Sequence, residues 1–252
     1  MIELKNLTLG FPQKILIENL STSFQSGVLT ALIGRNGSGK STLLKAICGL
    51  NEKFKGDILI AGENIRNIPK HKLAKLLSFV NTSRPRIANL SCREIVALGR
   101  APYTDWIGNL NQNDKEIVDE ALGAVGMTDY SQRTINSLSD GEAQRIMIAR
   151  ALAQDTNIII LDEPTSFLDL PNRFEVVELL KKLSYERGKT IIFSTHELDI
   201  ALEISDRIAI LDNKSLYNET VESVIKSGRI QKLFKTPGDF IERLLRINKI
   251  SV

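Results

Sequence analysis

The chain has 252 residues, of which 42% are hydrophobic and 25% charged, a composition typical of a globular protein with a substantial core. Its net charge of +3, from 33 basic and 30 acidic residues, is too balanced to indicate nucleic-acid binding by itself. No apolar run approaches the roughly 18 residues of a membrane span, and the start of the chain lacks the layout of a secretory signal. The two cysteines, Cys48 and Cys92, form neither a metal-binding pattern nor a disulfide framework, so we expect packing thiols.

Hydrophobic alternation in IELKNLTLGF and KILIENLSTSF predicts two antiparallel strands at the start of the chain. The apolar segment VLTALIG predicts a buried strand, followed by a glycine-rich turn and the helix STLLKAICGL, which ends at Gly49. Helices then dominate, in SCREIVALG with a Ser91 and Glu94 cap and an end at Gly99, in NDKEIVDEALGAVG, and from Leu138 onward.

Strands return in NIIILD, KTIIFST and RIAILD, with the helical pattern NRFEVVELLKKLSYERG between them. Alternating strands and helices predict an α/β fold with a largely parallel sheet, in which the helical stretch is an insertion. From about Val221 the pattern is that of basic amphipathic helices, whose simpler interpretation is a solvated face.

The segment GRNGSGKST lies between a predicted strand and a predicted helix and fits the phosphate-binding pattern G-x-x-x-x-G-K-[ST]. Gly34, Gly37 and Gly39 allow backbone conformations in which successive N–H groups point at phosphate oxygens. Lys40 supplies a positive charge for the β and γ phosphates, and Ser41 supplies a hydroxyl for Mg²⁺. The alternative, a chance glycine-rich turn, leaves the strand and helix on either side unexplained.

Two consecutive acids end the predicted strand NIIILD, so Asp162 can reach a Mg²⁺ ion while Glu163 points to an attacking water. Alternatively, these acids only cap a helix after Pro164. His196 follows another strand, at the start of a helix that Ser194 and Glu197 are expected to cap. A single histidine is more often structural than functional.

The stretch LSDGEAQRIMIARAL predicts a capped amphipathic helix, with Ser139 and Glu142 as a capping box and Gly141 exposing backbone at the helix start. LSDGE followed by QRIMIARAL resembles the signature motif of ATP-binding cassette (ABC) proteins. It precedes a Walker B strand (NIIILDE), a D-loop (SFLD) and an H-loop (STH), in that family's order. The resemblance covers essentially the whole chain.

The resemblance implies a P-loop NTPase of the ABC type, with a RecA-like, mostly parallel sheet core, an N-terminal antiparallel β subdomain and an inserted α-helical subdomain. We therefore expect one ABC ATPase domain over residues 1–252. The core would comprise residues 1–83 and 156–220, the helical insertion residues 84–155, and the C-terminal helices residues 221–252.

In this family two cassettes dimerise head to tail, and the signature of one chain closes over ATP held by the Walker A loop of the other. The resemblance thus implies ATP and Mg²⁺ as cofactors and a second copy of the chain as a partner. It makes Glu163 the general base, with Lys40 and His196 as catalytic contacts to the γ-phosphate. The residues it assigns to ATP bound by the same chain are Phe11, which would stack on adenine, and Gly34, Arg35, Asn36, Gly37, Ser38, Gly39, Lys40, Ser41 and Thr42. It assigns Ser139, Gly141 and Glu142 to ATP bound by the partner chain. It assigns Asp169 to a contact between the two chains. The residues it assigns to Mg²⁺ are Ser41, Asp162 and Thr82.

Thr82 departs from the family pattern, because it stands where a Gln normally reaches Mg²⁺ and the attacking water. Thr is shorter and stiffer at χ1, so a bridging water would have to complete that reach. This position usually couples the ATP state to the membrane partner, so the coupling geometry of this chain is expected to differ. Asp140 and Glu142 also replace the commonest signature residues, without altering Ser139 or Gly141.

The segment NLSCREIVALGRAPYTDW is similar to importer ATPases of the iron-chelate (siderophore), haem and cobalamin class. That resemblance implies separate integral membrane permease subunits, an extracytoplasmic substrate-binding protein, and a peripheral location on the cytoplasmic face of the membrane. The candidate docking surface for the permease comprises Thr82 to Arg86 and Tyr103 to Trp106. Simple packing of Tyr103 and Trp106 within the insertion is the alternative.

Two other functions use the same phosphate loop. A soluble ABC-type ATPase acting on nucleic acid or ribosomes usually carries coiled-coil arms, tandem cassettes or extra domains, and none is evident here. Basic residues near the C-terminus keep this alternative open. A P-loop kinase would leave the signature and His196 without a role.

Overall fold

A computed structural model describes residues 1–82 and 90–235, which form strands and helices in alternation. The strands are β1 (Ile2–Phe11), β2 (Lys14–Phe24), β3 (Leu29–Gly34), β4 (Phe54–Ile60), β5 (Glu63–Asn64), β6 (Leu77–Val80), β7 (Ile158–Leu161), β8 (Thr190–Thr195), β9 (Arg207–Asp212) and β10 (Ser215–Thr220). The α-helices are α1 (Lys40–Ile47), α2 (Lys70–Leu76), α3 (Cys92–Ala97), α4 (Gln112–Ala124), α5 (Asp140–Ala153), α6 (Leu170–Tyr185), α7 (Leu198–Ile204), α8 (Val221–Ser227) and α9 (Arg229–Phe234). Short 3₁₀ turns cover Leu98–Tyr103, Thr128–Tyr130 and Ile135–Ser137.

The strands form two sheets. One is antiparallel, in the order β2-β1-β4-β5, and the other has the order β10-β9-β3-β8-β7-β6. In the second sheet every pairing is parallel except that of β9 with β10. The predicted α/β fold with an N-terminal antiparallel part is thereby confirmed. Because β3, β7 and β8 are parallel neighbours, their carboxyl ends meet at one edge of the sheet.

The central strands are buried on both faces, which explains their continuous apolar sequences. In β7, Ile159 and Leu161 belong to a core shared with the helices, whereas Ile158 and Ile160 belong to a core shared with the antiparallel sheet. The period of two in side-chain direction therefore places successive residues of one strand in two different cores. Both cysteines are buried and unpaired, and burial raises the pKa of each thiol, as expected for packing residues.

The helices α3, α4 and α5 pack together and are joined by the buried side chain of Arg100. Its Nε donates to Asp114 Oδ1 (2.9 Å) and its Nη1 to Ala153 O (2.8 Å). The capping boxes predicted at Ser91 and Ser139 are both present. The helix predicted to end at Gly99 instead ends at Ala97 and continues as the 3₁₀ turn to Tyr103.

One prediction about a helix start fails, and one alternative interpretation is excluded. Ser194 lies inside β8 and α7 begins at Leu198 without a side-chain cap, so Ser194 and Glu197 do not form the expected capping pair. No described helix begins at Pro164 either, because α6 begins at Leu170 and is capped by Asp169. Asp162 and Glu163 therefore do not serve as helix caps.

The predicted C-terminal helices begin at Val221 and are described as far as residue 235. The boundary predicted at residues 83 and 84 and the chain after residue 235 lie outside the described residues. Within residues 1–82 and 90–235, no helix combines the length and apolar character that crossing a bilayer requires.

Gly99 allows the turn after α3 to pack closely against α5. A Cβ at this position would lie 2.3 Å from the carbonyl oxygen of Arg150, which is helix backbone and cannot move aside easily. We expect Gly99→Ala to lower the free energy of unfolding by about 1–3 kcal/mol through overpacking, measured by urea denaturation.

Gly123→Ala is the matched control, because Gly123 lies in α4 with its nearest neighbour 3.8 Å from a built Cβ. Replacing a helical glycine in open space should be neutral or stabilising by up to about 1 kcal/mol. Equal unfolding free energies for Gly99→Ala and the parent chain would contradict the packing argument.

Candidate active site

A cavity of about 540 Å³ opens where β3 leads into α1, beside the turn between β1 and β2. Its position at the carboxyl edge of the parallel sheet is where open α/β sheets bind ligands. The residues that line it are Phe11, Lys14, Leu16, Asn36, Gly37, Ser38, Gly39, Lys40, Ser41, Thr42 and Glu163. Most of the predicted phosphate loop, Phe11 and Glu163 are thus brought together.

The phosphate loop adopts its shape because two glycines take positive φ angles, 75° at Gly37 and 111° at Gly39. Such angles are readily accessible only to glycine, and Gly39 directly precedes α1. Gly34 has a different role, since a Cβ there would lie 2.7 Å from the carbonyl oxygen of Leu211 in β9. The first glycine therefore permits close packing of the sheet, and the other two shape the loop.

Lys40 is buried at the base of this cavity, with only 5% of its surface exposed. Its Nζ donates to the carbonyl oxygen of Gly34 (3.0 Å). Burial lowers the pKa of the Lys40 ammonium, and the negative charges of Glu163 and Asp162 oppose that shift. A buried cation with incomplete compensation favours an incoming anion, as expected for a phosphate site.

Asp162, at the end of β7, connects the ends of three strands. Its Oδ1 accepts hydrogen bonds from Ser41 Oγ (2.9 Å) and from Ser194 Oγ (2.7 Å). Ser194 lies in β8. Thr82, after β6, donates from Oγ1 to the main-chain oxygen of Asp162 (2.7 Å). The carboxylate is 3% exposed, so these donors fix its position against the phosphate loop.

Glu163 takes a left-handed backbone conformation (φ 48°), which is uncommon for a residue other than glycine. Its N–H donates to Ser194 Oγ (2.9 Å), and its carboxylate accepts from Ser166 Oγ (2.9 Å). The same carboxylate lies 3.9 Å from Lys40 Nζ and 3.7 Å from His196 Nδ1. Glu163 therefore sits between the two groups predicted to contact the γ-phosphate.

The signature residues do not line this cavity. Ser139 Oγ accepts from the N–H of Glu142 (3.2 Å), and the Glu142 carboxylate accepts from the N–H of Ser139 (2.8 Å). That backbone hydrogen bond is the main reason why the pKa of Glu142 is lowered. Asp169 caps α6 by accepting from the N–H of Asn172 (3.2 Å). These residues thus form a second group, separate from the cavity.

Arg35 and Thr82 make contacts that the sequence does not reveal. Arg35 Nε donates to the carbonyl oxygen of Leu233 in α9 (2.8 Å), so this side chain connects the phosphate loop to the C-terminal helices. The Thr82 hydroxyl donates its proton to the main-chain oxygen of Asp162. The lone pairs of Thr82 Oγ1 can still accept a hydrogen bond or bind a metal ion. Ser194, which contacts both Asp162 and Glu163, was predicted only as a helix cap.

A second cavity, of about 360 Å³, lies between α2 and α5. Nearby, Tyr103 packs between Arg100 (4.0 Å from ring centre to guanidinium carbon) and Lys75 of α2 (4.8 Å to Nζ). Trp106 is 94% exposed, so packing within the insertion does not account for it. Residues 83–86 of the predicted docking surface lie outside the described residues.

The ABC transporter family model matches residues 17–166, which include the phosphate loop, the signature helix and the acidic pair. The chain belongs to the ABC transporter family. The petrobactin import ATP-binding protein FpuC of Bacillus anthracis is 37% identical over 96% of this chain and 89% of its own length. The iron(3+)-hydroxamate import ATP-binding protein FhuC of Bacillus subtilis is 33% identical over 94% of this chain and 88% of its own.

Solved ABC structures share the fold. A chain from an inward-facing structure described as a metal-chelate type ABC transporter has a TM-score of 0.82 and 28% identity, covering 94% of this chain and 89% of that one. The dimeric cassette MJ0796, bound to ADP and phosphate, has a TM-score of 0.75 and 29% identity, covering 88% and 99%. The chain is therefore an ABC ATPase that binds ATP.

The contact of Thr82 with Asp162 generates a prediction for the position that usually carries Gln. Because the Thr82 hydroxyl donates to the main chain of Asp162 and makes no hydrogen bond to its carboxylate, we expect Thr82→Gln to keep ATP binding and ATPase activity. Thr82→Val, which removes the hydroxyl but keeps the shape, is the matched variant. Binding of a fluorescent ATP analogue and release of phosphate are the measurements. Loss of ATP binding in Thr82→Gln would mean that this loop has been assigned to the wrong motif.

Proposed function

We propose that this chain is the ATP-hydrolysing subunit of an importer that drives uptake of an iron chelate through separate permease subunits. The names of its relatives support the cargo class, since they include petrobactin, iron(3+)-hydroxamate and ferric enterobactin transport proteins. Because these relatives align with most of this chain, they support the same function for the chain as a whole. The word import in the names of the petrobactin and iron(3+)-hydroxamate relatives supports uptake rather than export.

The observation that best supports ATP hydrolysis is the position of the Glu163 carboxylate at the edge of the phosphate-loop cavity. We assign Glu163 as the general base that accepts a proton from the attacking water. Lys40 and His196, which now flank this carboxylate at 3.9 and 3.7 Å, would contact the γ-phosphate. Phe11 is 61% exposed at the cavity mouth and is suited to stack on adenine. The backbone of residues 34–42 would bind the phosphates.

The residues around Asp162 fit a Mg²⁺ ion. The Ser41 hydroxyl and the Asp162 carboxylate are hard oxygen donors joined by a 2.9 Å hydrogen bond, the donor type that Mg²⁺ prefers. We assign these two groups to the metal, with Thr82 as a third candidate through its remaining lone pairs. When bound, Mg²⁺ would neutralise charge on the phosphate oxygens.

A head-to-tail dimer would complete the site. Ser139, Gly141 and Glu142 lie outside the cavity of their own chain, which supports their assignment to ATP on a second copy. We assign Asp169 to the contact between the two chains. The dimeric assembly of the similar cassette MJ0796 supports this arrangement.

We place the permease on the surface around the cavity between α2 and α5, together with Tyr103 and Trp106. The exposed indole of Trp106 and the exposed side chain of Leu50 at the edge of that cavity give this surface apolar character. A permease bound here would keep the chain on the cytoplasmic face of the membrane, with a substrate-binding protein on the other side. The balanced net charge offers no support for nucleic acid as the partner.

Replacing the proposed general base should separate binding from turnover. We expect Glu163→Gln to bind ATP with near-normal affinity and to hydrolyse it roughly 10² to 10⁴ times more slowly, as loss of a general base predicts. Glu186→Gln makes the same chemical change at an exposed position near the end of α6 and should leave the rate unchanged. Near-normal hydrolysis by Glu163→Gln would rule out this assignment.

The transport partner can be identified by purification. We expect the tagged chain, extracted from its native membranes in mild detergent, to co-purify with a polytopic permease in stoichiometric amount, as identified by mass spectrometry. Trp106→Ser should reduce that recovery if the proposed surface is correct. Recovery of ribosomes, nucleic acid or soluble enzymes alone would instead support the soluble ABC ATPase alternative.

A further inference from the structure

The first turns of α6 touch two parts of the site that are far apart in sequence. Arg173 Nη1 lies 2.9 Å from Glu197 Oε1, and Glu197 directly follows His196. The other carboxylate oxygen of Glu197 accepts from Thr165 Oγ1 (2.5 Å), close after Glu163 in the chain. Glu197 is 12% exposed and Arg173 29%, so water screens this pair only partly. Arg173 therefore connects α6 to the segments that carry Glu163 and His196.

Asn172, the preceding residue, packs against the signature turn. Its side chain occupies the space of a Cβ at Gly141, which would lie 2.3 Å from both Cγ and Oδ1 of Asn172. Asn172 Nδ2 donates to Asp169 Oδ1 (2.6 Å), which fixes the side chain in this orientation. Glu175, further along α6, forms an ion pair with Arg145 of α5 (2.8 Å). The start of α6 thus contacts the signature helix as directly as it contacts Glu197.

We propose that Arg173 and Asn172 are positioning residues that transmit the state of the chain's own ATP site to its signature turn at Gly141. The proposal rests on the proposed function, in which His196 contacts ATP held by its own chain and Gly141 contacts ATP held by a second copy. A shift of His196 and Glu197 on ATP binding would move Arg173. The helix would pass that movement to Asn172, because adjacent residues of one helical turn move together.

The packing of Asn172 makes this contact sensitive to small movements. With the Asn172 side chain in the place of a Cβ, a displacement of α6 toward α5 has to be accommodated by the signature backbone. Neither Asn172 nor Arg173 lines the nucleotide cavity, so both can be changed without removing an ATP contact. In the proposed dimer, each α6 would then couple the two composite ATP sites.

Hydrogen exchange of the signature turn tests this coupling in the complete chain. At dilutions where sedimentation shows a monomer, Mg²⁺ and the non-hydrolysable analogue AMP-PNP are added, and exchange of amides 140–144 is measured. We expect a change of about 5-fold or more in the parent chain, the lower range of allosteric coupling. Arg173→Gln and Asn172→Ala should each reduce the change to less than about 2-fold while keeping analogue affinity.

Three further variants make the outcome specific. Arg173→Lys keeps the cation and should restore the response. Lys181→Gln removes an ion pair within α6, to Glu178 at 3.2 Å, and should retain the full response. The double variant Asn172→Ala with Arg173→Gln should show no further loss, because contacts in series are not additive.

The possible results distinguish a failure of the coupling through α6 from a failure of the proposed ATP site. Failure of the parent chain to bind AMP-PNP would contradict the proposed nucleotide site. Normal binding with no change at residues 140–144, or an unchanged response in both Arg173→Gln and Asn172→Ala, would overturn the role of α6 alone. Thermal melting of each variant checks that the protein remains folded.

Discussion

The active site depends on the buried carboxylate of Asp162 and the two hydroxyls that donate to it. A carboxylate with 3% exposure is costly unless hydrogen bonds and a nearby cation compensate for lost hydration. Ser41 and Ser194 supply the hydrogen bonds, and Lys40 supplies positive charge. Because Ser41 follows β3 and Ser194 lies in β8, this one oxygen fixes the ends of three neighbouring strands relative to one another. The phosphate loop and the acidic pair can be displaced separately only by breaking those hydrogen bonds.

Glu163 lies at the centre of the charged groups of the site. Its carboxylate lies between Lys40 and His196, so an anion already occupies the region between the groups assigned to the γ-phosphate. Phosphate oxygens would compete with this carboxylate for the same cation. The left-handed backbone of Glu163, held by Ser194 through the N–H, limits how far the residue can move in response. In the proposed site, ATP binding would therefore exchange the ionic partner of Lys40 from Glu163 to phosphate.

The sequence predicted the parts of this molecule that depend on local pattern. The alternation in β1 and β2, the apolar runs of β3 and β7, the capping boxes at Ser91 and Ser139 and the phosphate loop all follow from neighbouring residues. The links of Ser194 with Asp162 and of Arg35 with Leu233 could not be predicted, because 32 and 198 residues separate the partners. The Ser194 error has a physical origin. Ser and Glu three residues apart form a capping box only if the chain turns there, and β8 continues as far as Thr195.

The signature turn carries acidic residues that suit the start of a helix. Asp140 and Glu142 lie in the first turn of α5, where the positive end of the helix dipole favours anions. The hydrogen bond from the Ser139 N–H lowers the pKa of the Glu142 carboxylate, and the neighbouring Arg145 contributes to that shift. Within one chain, the Glu142 carboxylate therefore accepts the Ser139 N–H at the start of α5. In the proposed dimer, the partner's Lys40 and the partner's His196 would supply positive charge for the γ-phosphate, and the signature backbone would close over it. In that proposed arrangement, ATP binding would precede dimer closure, and the contact of Asn172 with Gly141 would act on the closing step.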